Sequence, residues 1–306
     1  LLNQIWHAHL ANFDEITIWD EFAPKWSYQN KRAYQYDWQN FHRVIISDFL
    51  KDFIYRVKQI SNKPISISFP ASVFEVDETK FTGDRERIVP LLDFVALNMS
   101  ANMYDSVYAQ GYPDPLVDVV WINTVFRDKH LAVSRVDFNF PGSIDAGERY
   151  NRVLNALWEF VISGAEVVAV NLSWEMEKDL PTWKAVMDAN KFFSKYGKEI
   201  REFQSAKPDV NIIFSGSSKI LDGGIPHLKS AKMAYEGSSF AGYKIGFITE
   251  ELIKKGALDE TNVIIMPQIL ALEDEAFSLL SGYVASGKYI IRVGTQIPYD
   301  PRGISR

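Results

Sequence analysis

Gly147-Glu148-Arg149-Tyr150-Asn151-Arg152-Val153-Leu154-Asn155-Ala156-Leu157-Trp158-Glu159-Phe160-Val161-Ile162-Ser163, then Gly164-Ala165, then Glu166-Val167-Val168-Ala169-Val170-Asn171-Leu172, is the stretch that decides the fold. It reads as a helix, a short glycine turn and a buried strand. A helix leading directly into a continuous apolar run is one half of a βαβ crossover, which implies parallel strands covered on both faces. The same alternation extends in both directions. Upstream, strands are expected over Leu131 to Phe138, closed by Pro141-Gly142, over Phe94 to Asn98, over Ile65 to Phe69, closed by Pro70, and over Ile16 to Trp19. A helix is expected from about Asp37 to Ile60, where Val44, Ile45, Phe49, Phe53 and Val57 keep helical spacing and Asn62-Lys63-Pro64 stops it. Downstream, a helix from Lys184 to Phe203 closes the region, and Ala206-Lys207-Pro208 marks a boundary.

A second α/β unit follows. Its strands are expected at Val210 to Phe214, Tyr243 to Ile248, Val263 to Pro267 and Tyr289 to Val293, with a helix from Glu273 to Ser286. This is a doubly wound pattern. The expected division is therefore 1–207 and 208–306, the second part incomplete. Five strands in the first part fall short of the eight that close a (β/α)8 barrel. An open five-stranded piece leaves two unpaired edges and one uncovered face. The simplest account is part of a longer barrel; a smaller open sheet, complete as it stands, is the alternative.

Composition narrows the function. The formal net charge is −6, with no long basic run. That argues against a nucleic-acid partner and against an anionic membrane surface. No run of about 18 apolar residues is present, so no membrane span is expected. There is no cysteine, which removes disulfides, thiolate metal sites and cysteine nucleophiles. The five histidines, His7, His9, His42, His130 and His227, show no metal-ligand spacing, so no metal is expected. Ser215-Gly216-Ser217-Ser218 follows a strand as a phosphate loop would, but it lacks the glycine fingerprint and the Walker pattern. No nucleotide or other cofactor is expected.

In parallel α/β folds the reactive groups gather at the carboxyl ends of strands. Those ends read Trp19-Asp20-Glu21, Phe69-Pro70, Asn98 to Tyr104, Val136-Asp137-Phe138-Asn139 and Ser173-Trp174-Glu175. Carboxylates and aromatics recur. Glycoside hydrolysis needs two carboxyl groups, one to protonate the leaving group and one to attack or to activate water. Glu21 and Asp137 are the natural pair. Asp137 also has structural readings, as a helix cap or as a partner of Arg135. Trp174 could be core rather than a sugar platform. Glu175 and Glu177 read as a solvated loop face.

With these residues in place, the order resembles the later part of the clan A glycoside hydrolases, nearest to the family 42 β-galactosidases. The run Leu154 to Phe160, Gly164-Ala165 and on to Trp174 is similar to that family's helix, its Gly-Ala entry and its last barrel strand. The resemblance implies a partial (β/α)8 TIM barrel followed by a flavodoxin-like domain of the trimerisation type, hence a possible homo-oligomer, a trimer. It implies Glu21 as acid/base, Asp137 as nucleophile and Trp174 beneath the sugar. Asp20 stands where the family has the Asn that binds the 2-hydroxyl. Asp137 is one methylene shorter than the family's Glu, and its register against Pro141-Gly142 is off by one. The implied activity is retaining hydrolysis of β-linked sugars, with Asn98, Asn102 and Tyr104 contacting hydroxyl groups of the carbohydrate substrate. The departures at 20 and 137 motivate the alternative, a non-catalytic carbohydrate-binding or structural protein derived from a glycosidase.

Overall fold

A computed structural model describes residues 28–69, 72–74, 84–102, 114–139, 144–170, 179–221, 225–294 and 297–305; at 99–102, 134, 135, 137 and 139, among others, it describes the backbone alone. Helix α1 (Tyr28–Ile60) precedes a parallel sheet built from β1 (Ser68–Phe69), β2 (Phe94–Asn102), β3 (His130–Asn139) and β4 (Val167–Val170), in the order β1-β2-β3-β4. Helices α2 (Arg85–Ile88), α3 (Asp114–Val125) and α4 (Ala146–Ser163) lie in the crossovers, and α5 (Leu180–Ser205) follows β4. Parallel pairing is the expected outcome of strands separated by helices.

The register explains which face carries the core. Phe69, Leu97, Val133 and Val168 stand in one row across the four strands; Ser68, Ala96, Ala132 and Val167 stand in the next. Successive residues project to opposite faces. The bulky row packs under the helices, where Phe69, Leu97 and Val133 are buried. Each such side chain contributes about 1.5–3 kcal/mol by leaving water. The other row is made of small residues, and its β4 member Val167 is 57% exposed. Among the described residues this face is open at the β4 edge.

Helix α4 shows how the opening stretch folds. Asp145 caps it by accepting from the amides of Gly147 (2.8 Å) and Glu148 (3.0 Å). Val153, Ala156, Leu157, Phe160 and Val161 form its buried stripe, the spacing of one helical face. Gly164 then ends it at φ +129°, its N–H returning to the Phe160 and Val161 carbonyls. A Cβ at 164 would lie 2.4 Å from Asn123 Cγ. Gly164→Ala is therefore expected to destabilise the fold by about 1–3 kcal/mol, from backbone strain and overpacking together. Urea midpoints of the two proteins measure it; an unchanged midpoint would refute both the strain at φ +129° and the overpacking against Asn123.

The second sheet contains β5 (Val210–Phe214), β6 (Ile245–Thr249), β7 (Val263–Pro267) and β8 (Ile290–Val293), all parallel, in the order β6-β5-β7-β8. Helices α6 (Gly216–Ile220), α7 (Ile225–Phe240), α8 (Glu250–Lys254) and α9 (Asp274–Ala285) connect the strands. Every residue of β5 and β6 is buried, as in a sheet covered on both faces. The chain reverses its winding between β5 and β7, which is a topological switch point.

One apolar cluster runs through both sheets. Helix α3 joins them: it packs on β2 and β3 and also on β6. Its Thr124 Oγ1 accepts from the β6 amide of Phe247 at 3.0 Å, which satisfies an edge-strand donor. Phe74, just beyond β1, meets Phe214 and Phe247 edge-on at 5.3 and 5.5 Å. Beside it the buried Lys219 donates to the Val73 carbonyl at 2.6 Å.

Candidate active site

Toward the carboxyl ends of β2 and β3 the small-residue row turns polar. Asn98 stands in register with Ser134, Ser100 with Asp137, and Asn102 with Asn139. The backbone thus places positions 102 and 137 near the carboxyl ends of adjacent parallel strands, where such folds carry their chemistry, with position 98 on the same row midway along β2. Asn98 is partly buried; of Asn102 and Asp137 the backbone positions are described. Asp20, Glu21, Tyr104 and Trp174 lie outside the described residues, as does the strand expected over Ile16 to Trp19.

A bulge sits immediately before Asp137. Between Asn98 and Ser100 β2 advances two residues, while β3 advances three, from Ser134 to Asp137. The same extra residue appears against β4, where Val133 pairs with Val168 but Val136 with Val170. An inserted residue reverses the alternation beyond it and bends the strand. Hence Leu131 and Val133 are buried before the bulge, and Val136 and Phe138 after it. Without the bulge, position 137 would fall in the buried apolar row instead of the polar one.

A second polar cluster was not foreseen from sequence. At the switch point of the second sheet, Glu250 is buried and accepts four hydrogen bonds: from Ser215 Oγ (2.9 Å), the Ser217 amide (2.9 Å), Ser217 Oγ (3.0 Å) and the Glu273 amide (2.6 Å). Burial pushes its carboxyl above the usual carboxylate range, against the pull of these donors. The loop after β5 therefore directs its donors at a carboxylate of its own chain. His227 braces the same loop. Its Nε2 accepts from the Ser215 amide at 3.0 Å and its Nδ1–H donates to the Pro267 carbonyl at 2.9 Å. Burial holds it neutral, with a pKa lowered to about 4. Among the described residues no group of three or more His, Asp or Glu could hold a metal, and no helix is long and apolar enough to cross a membrane.

Glu86 links this cluster to α2. It accepts a short hydrogen bond from Thr249 Oγ1. Burial raises its pKa from 4.5 to about 7, opposed by Thr249 and Arg43 and reinforced by Asp84 and Glu250. A carboxyl whose folded pKa is raised favours the fold while protonated. Its contribution is full below about 4.5 and is lost as pH rises through about 7. His227 acts in the opposite sense over part of that window, gaining as pH rises toward 6.5. The difference between the native protein and Glu86→Gln isolates the Glu86 part. That difference is expected to shift by about 2–3 kcal/mol in favour of Glu86→Gln between pH 5 and pH 8. Urea unfolding at several pH values reads it; parallel stability curves would refute the assignment.

No family model and no curated protein matches the sequence. Solved structures do match the fold. A family 42 exo-carrageenase from Bacteroides ovatus superposes with a TM-score of 0.76 at 14% identity, over 100% of this chain and 44% of that one. The cold-adapted β-galactosidase from Rahnella sp. R3 gives 0.71 at 14% identity, covering 99% of this chain and 47% of that one. The β-galactosidase from Bacillus circulans sp. alkalophilus gives 0.67 at 13%, covering 99% and 46%. The chain spans less than half the length of these proteins. Over that length its mixed α/β architecture, with its parallel sheets, resembles the fold of these family 42 exo-carrageenase and β-galactosidase structures.

Proposed function

We propose that the chain forms part of a retaining glycoside hydrolase acting on β-linked sugars, β-galactosidase-like in specificity. Asp137 is the nucleophile and Glu21 the acid/base. Asp20, Asn98, Asn102 and Tyr104 contact hydroxyl groups, and Trp174 underlies the sugar. The observation that carries this reading is the position of Asp137. A carboxylate residue occupies the carboxyl end of a parallel strand, in the polar row with Asn98 and Asn102, because a bulge places it there. The family 42 fold match supplies the chemical context. A retaining site holds its two carboxyl groups about 5–5.5 Å apart, an inverting one about 6.5–9.5 Å. The shorter Asp lengthens that gap unless the backbone moves inward.

We assign residues 1–207 to the barrel part and 208–306 to a flavodoxin-like unit. The strand order β6-β5-β7-β8 supports the second assignment. By resemblance that unit mediates a homotrimer, which light scattering after size-exclusion chromatography tests.

The short Asp at 137 favours one other reading, a carbohydrate-binding protein that has lost catalysis. A panel of 4-nitrophenyl glycosides separates the two. Release of nitrophenol from β-linked members, galactoside first, is the expected result. Saccharide binding with no release from any member would establish the non-catalytic reading.

A further inference from the structure

At the ends of the strands remote from Asp137 lies a cavity of about 460 Å³. Arg127 precedes β3, Lys244 precedes β6, and Lys198 and Arg201 come from the last turns of α5; all four line it. Its volume is in the range of small-molecule sites. The chain as a whole is acidic, so a cationic cavity runs against its average.

Most charges around the cavity are already engaged. Lys244 Nζ donates to the Phe203 and Gln204 carbonyls. Lys198 pairs with Glu202 at 3.8 Å, and Glu166 with His130 at 2.8 Å. Arg127 and Arg201 have no ion pair or hydrogen bond among the described residues. Burial and the Arg127 charge together push the Lys244 ammonium below the usual lysine range, against Asp209. Five cations, Arg127, Lys129, Lys198, Arg201 and Lys244, thus face two lining carboxylates, Glu166 and Glu202, which pair with His130 and Lys198 and leave the cavity net positive at Arg127 and Arg201. Guanidinium groups present forked donors that match the oxygens of phosphate and sulfate.

We propose that this cavity binds a phosphate or sulfate group between Arg127 and Arg201. The Asn123 side chain lines the same space and serves the polar remainder of an ester. The site is at the opposite end of the strands from Asp137 and does not depend on the glycosidase reading.

Isothermal titration with inorganic phosphate, inorganic sulfate and a hexose phosphate tests it. Saturable binding is expected, weakening as sodium chloride is raised. Each of Arg127→Ala and Arg201→Ala should weaken it by about tenfold, and the double variant should abolish it. Tighter binding of the hexose phosphate identifies an ester as the ligand; equal binding identifies the free ion. Arg56→Ala, on the exposed part of α1, should leave binding unchanged. Absence of saturable binding for all three probes overturns the proposal. So does an unchanged affinity in the double variant, or an equal loss in Arg56→Ala.

Discussion

Asp137→Asn is expected to suppress hydrolysis of every substrate the chain turns over, by about 10⁴-fold or more. The reason is chemical. A retaining glycosidase attacks the anomeric carbon with a carboxylate and forms a covalent glycosyl-enzyme. An amide is neutral, a poor nucleophile and a poor leaving group, so neither half of the reaction proceeds. Glu21→Gln should behave differently. Acid assistance is worth about 10²–10⁴-fold and matters most for leaving groups of high pKa. Its loss should be severe for natural glycosides and mild in the first step for nitrophenyl glycosides. Full activity in Asp137→Asn would remove Asp137 from the chemistry and point to Glu175 as the next candidate. The bulge before Asp137 belongs to the same argument. It is the kind of local distortion that re-aims a strand end.

The largest stability effect is expected at Glu250. Glu250→Ala removes the acceptor for the Ser217 and Glu273 amides and for the Ser217 hydroxyl, while the Ser215 hydroxyl keeps the Ala271 carbonyl at 2.8 Å as an acceptor. A buried donor left unsatisfied costs about 1–3 kcal/mol. Relaxation and water entry offset part of that sum, so a loss of about 3–5 kcal/mol is expected. For a protein of ordinary stability that is a large fraction of the total. Neighbouring Glu251 provides the contrast. It pairs with Lys254 and Lys255 at the surface, and Glu251→Ala should cost no more than about 1 kcal/mol. Equal losses at 250 and 251, read from denaturant midpoints, would contradict the role given to the buried carboxylate.

Much of the fold was legible because its strands are continuous apolar runs between turn residues. Val210 to Phe214 and Val263 to Pro267 form as read. The strand expected over Ile65 to Phe69 forms at Ser68–Phe69, where β2 offers a partner in register. Helix α3 was not read, and its residues show why. Leu116, Val117, Val119, Val120, Trp121, Ile122 and Val125 are all buried. A helix packed on two sheets is apolar all round and has no amphipathic period to detect. Helix α7 was also missed; its buried positions are His227, Leu228 and Ala231, too few to stand out.

The candidate site was legible in part, for a related reason. Strand ends mark where chemistry gathers; Asn102 and Asp137 fall at or near such ends, whereas β2 runs on past its expected end and leaves Asn98 midway along it. The bulge left a trace that went unread: buried apolar residues two apart at Leu131 and Val133, then three apart at Val136. The Glu250 cluster left none. Its donors come from segments far apart in sequence, Ser215 and Ser217 on one side and Glu273 on the other. Only the folded sheet brings them to one carboxylate.

The central claim is that Asp137 becomes covalently bonded to the sugar. Incubation with an activated 2-deoxy-2-fluoro-β-galactoside slows breakdown of the glycosyl-enzyme more than its formation, so the intermediate accumulates. Mass spectrometry of the intact protein followed by peptide mapping locates it. The account predicts one fluorosugar per chain, attached at Asp137. A label on Glu175 or another residue, or hydrolysis of β-glycosides with no label at any residue, would contradict it.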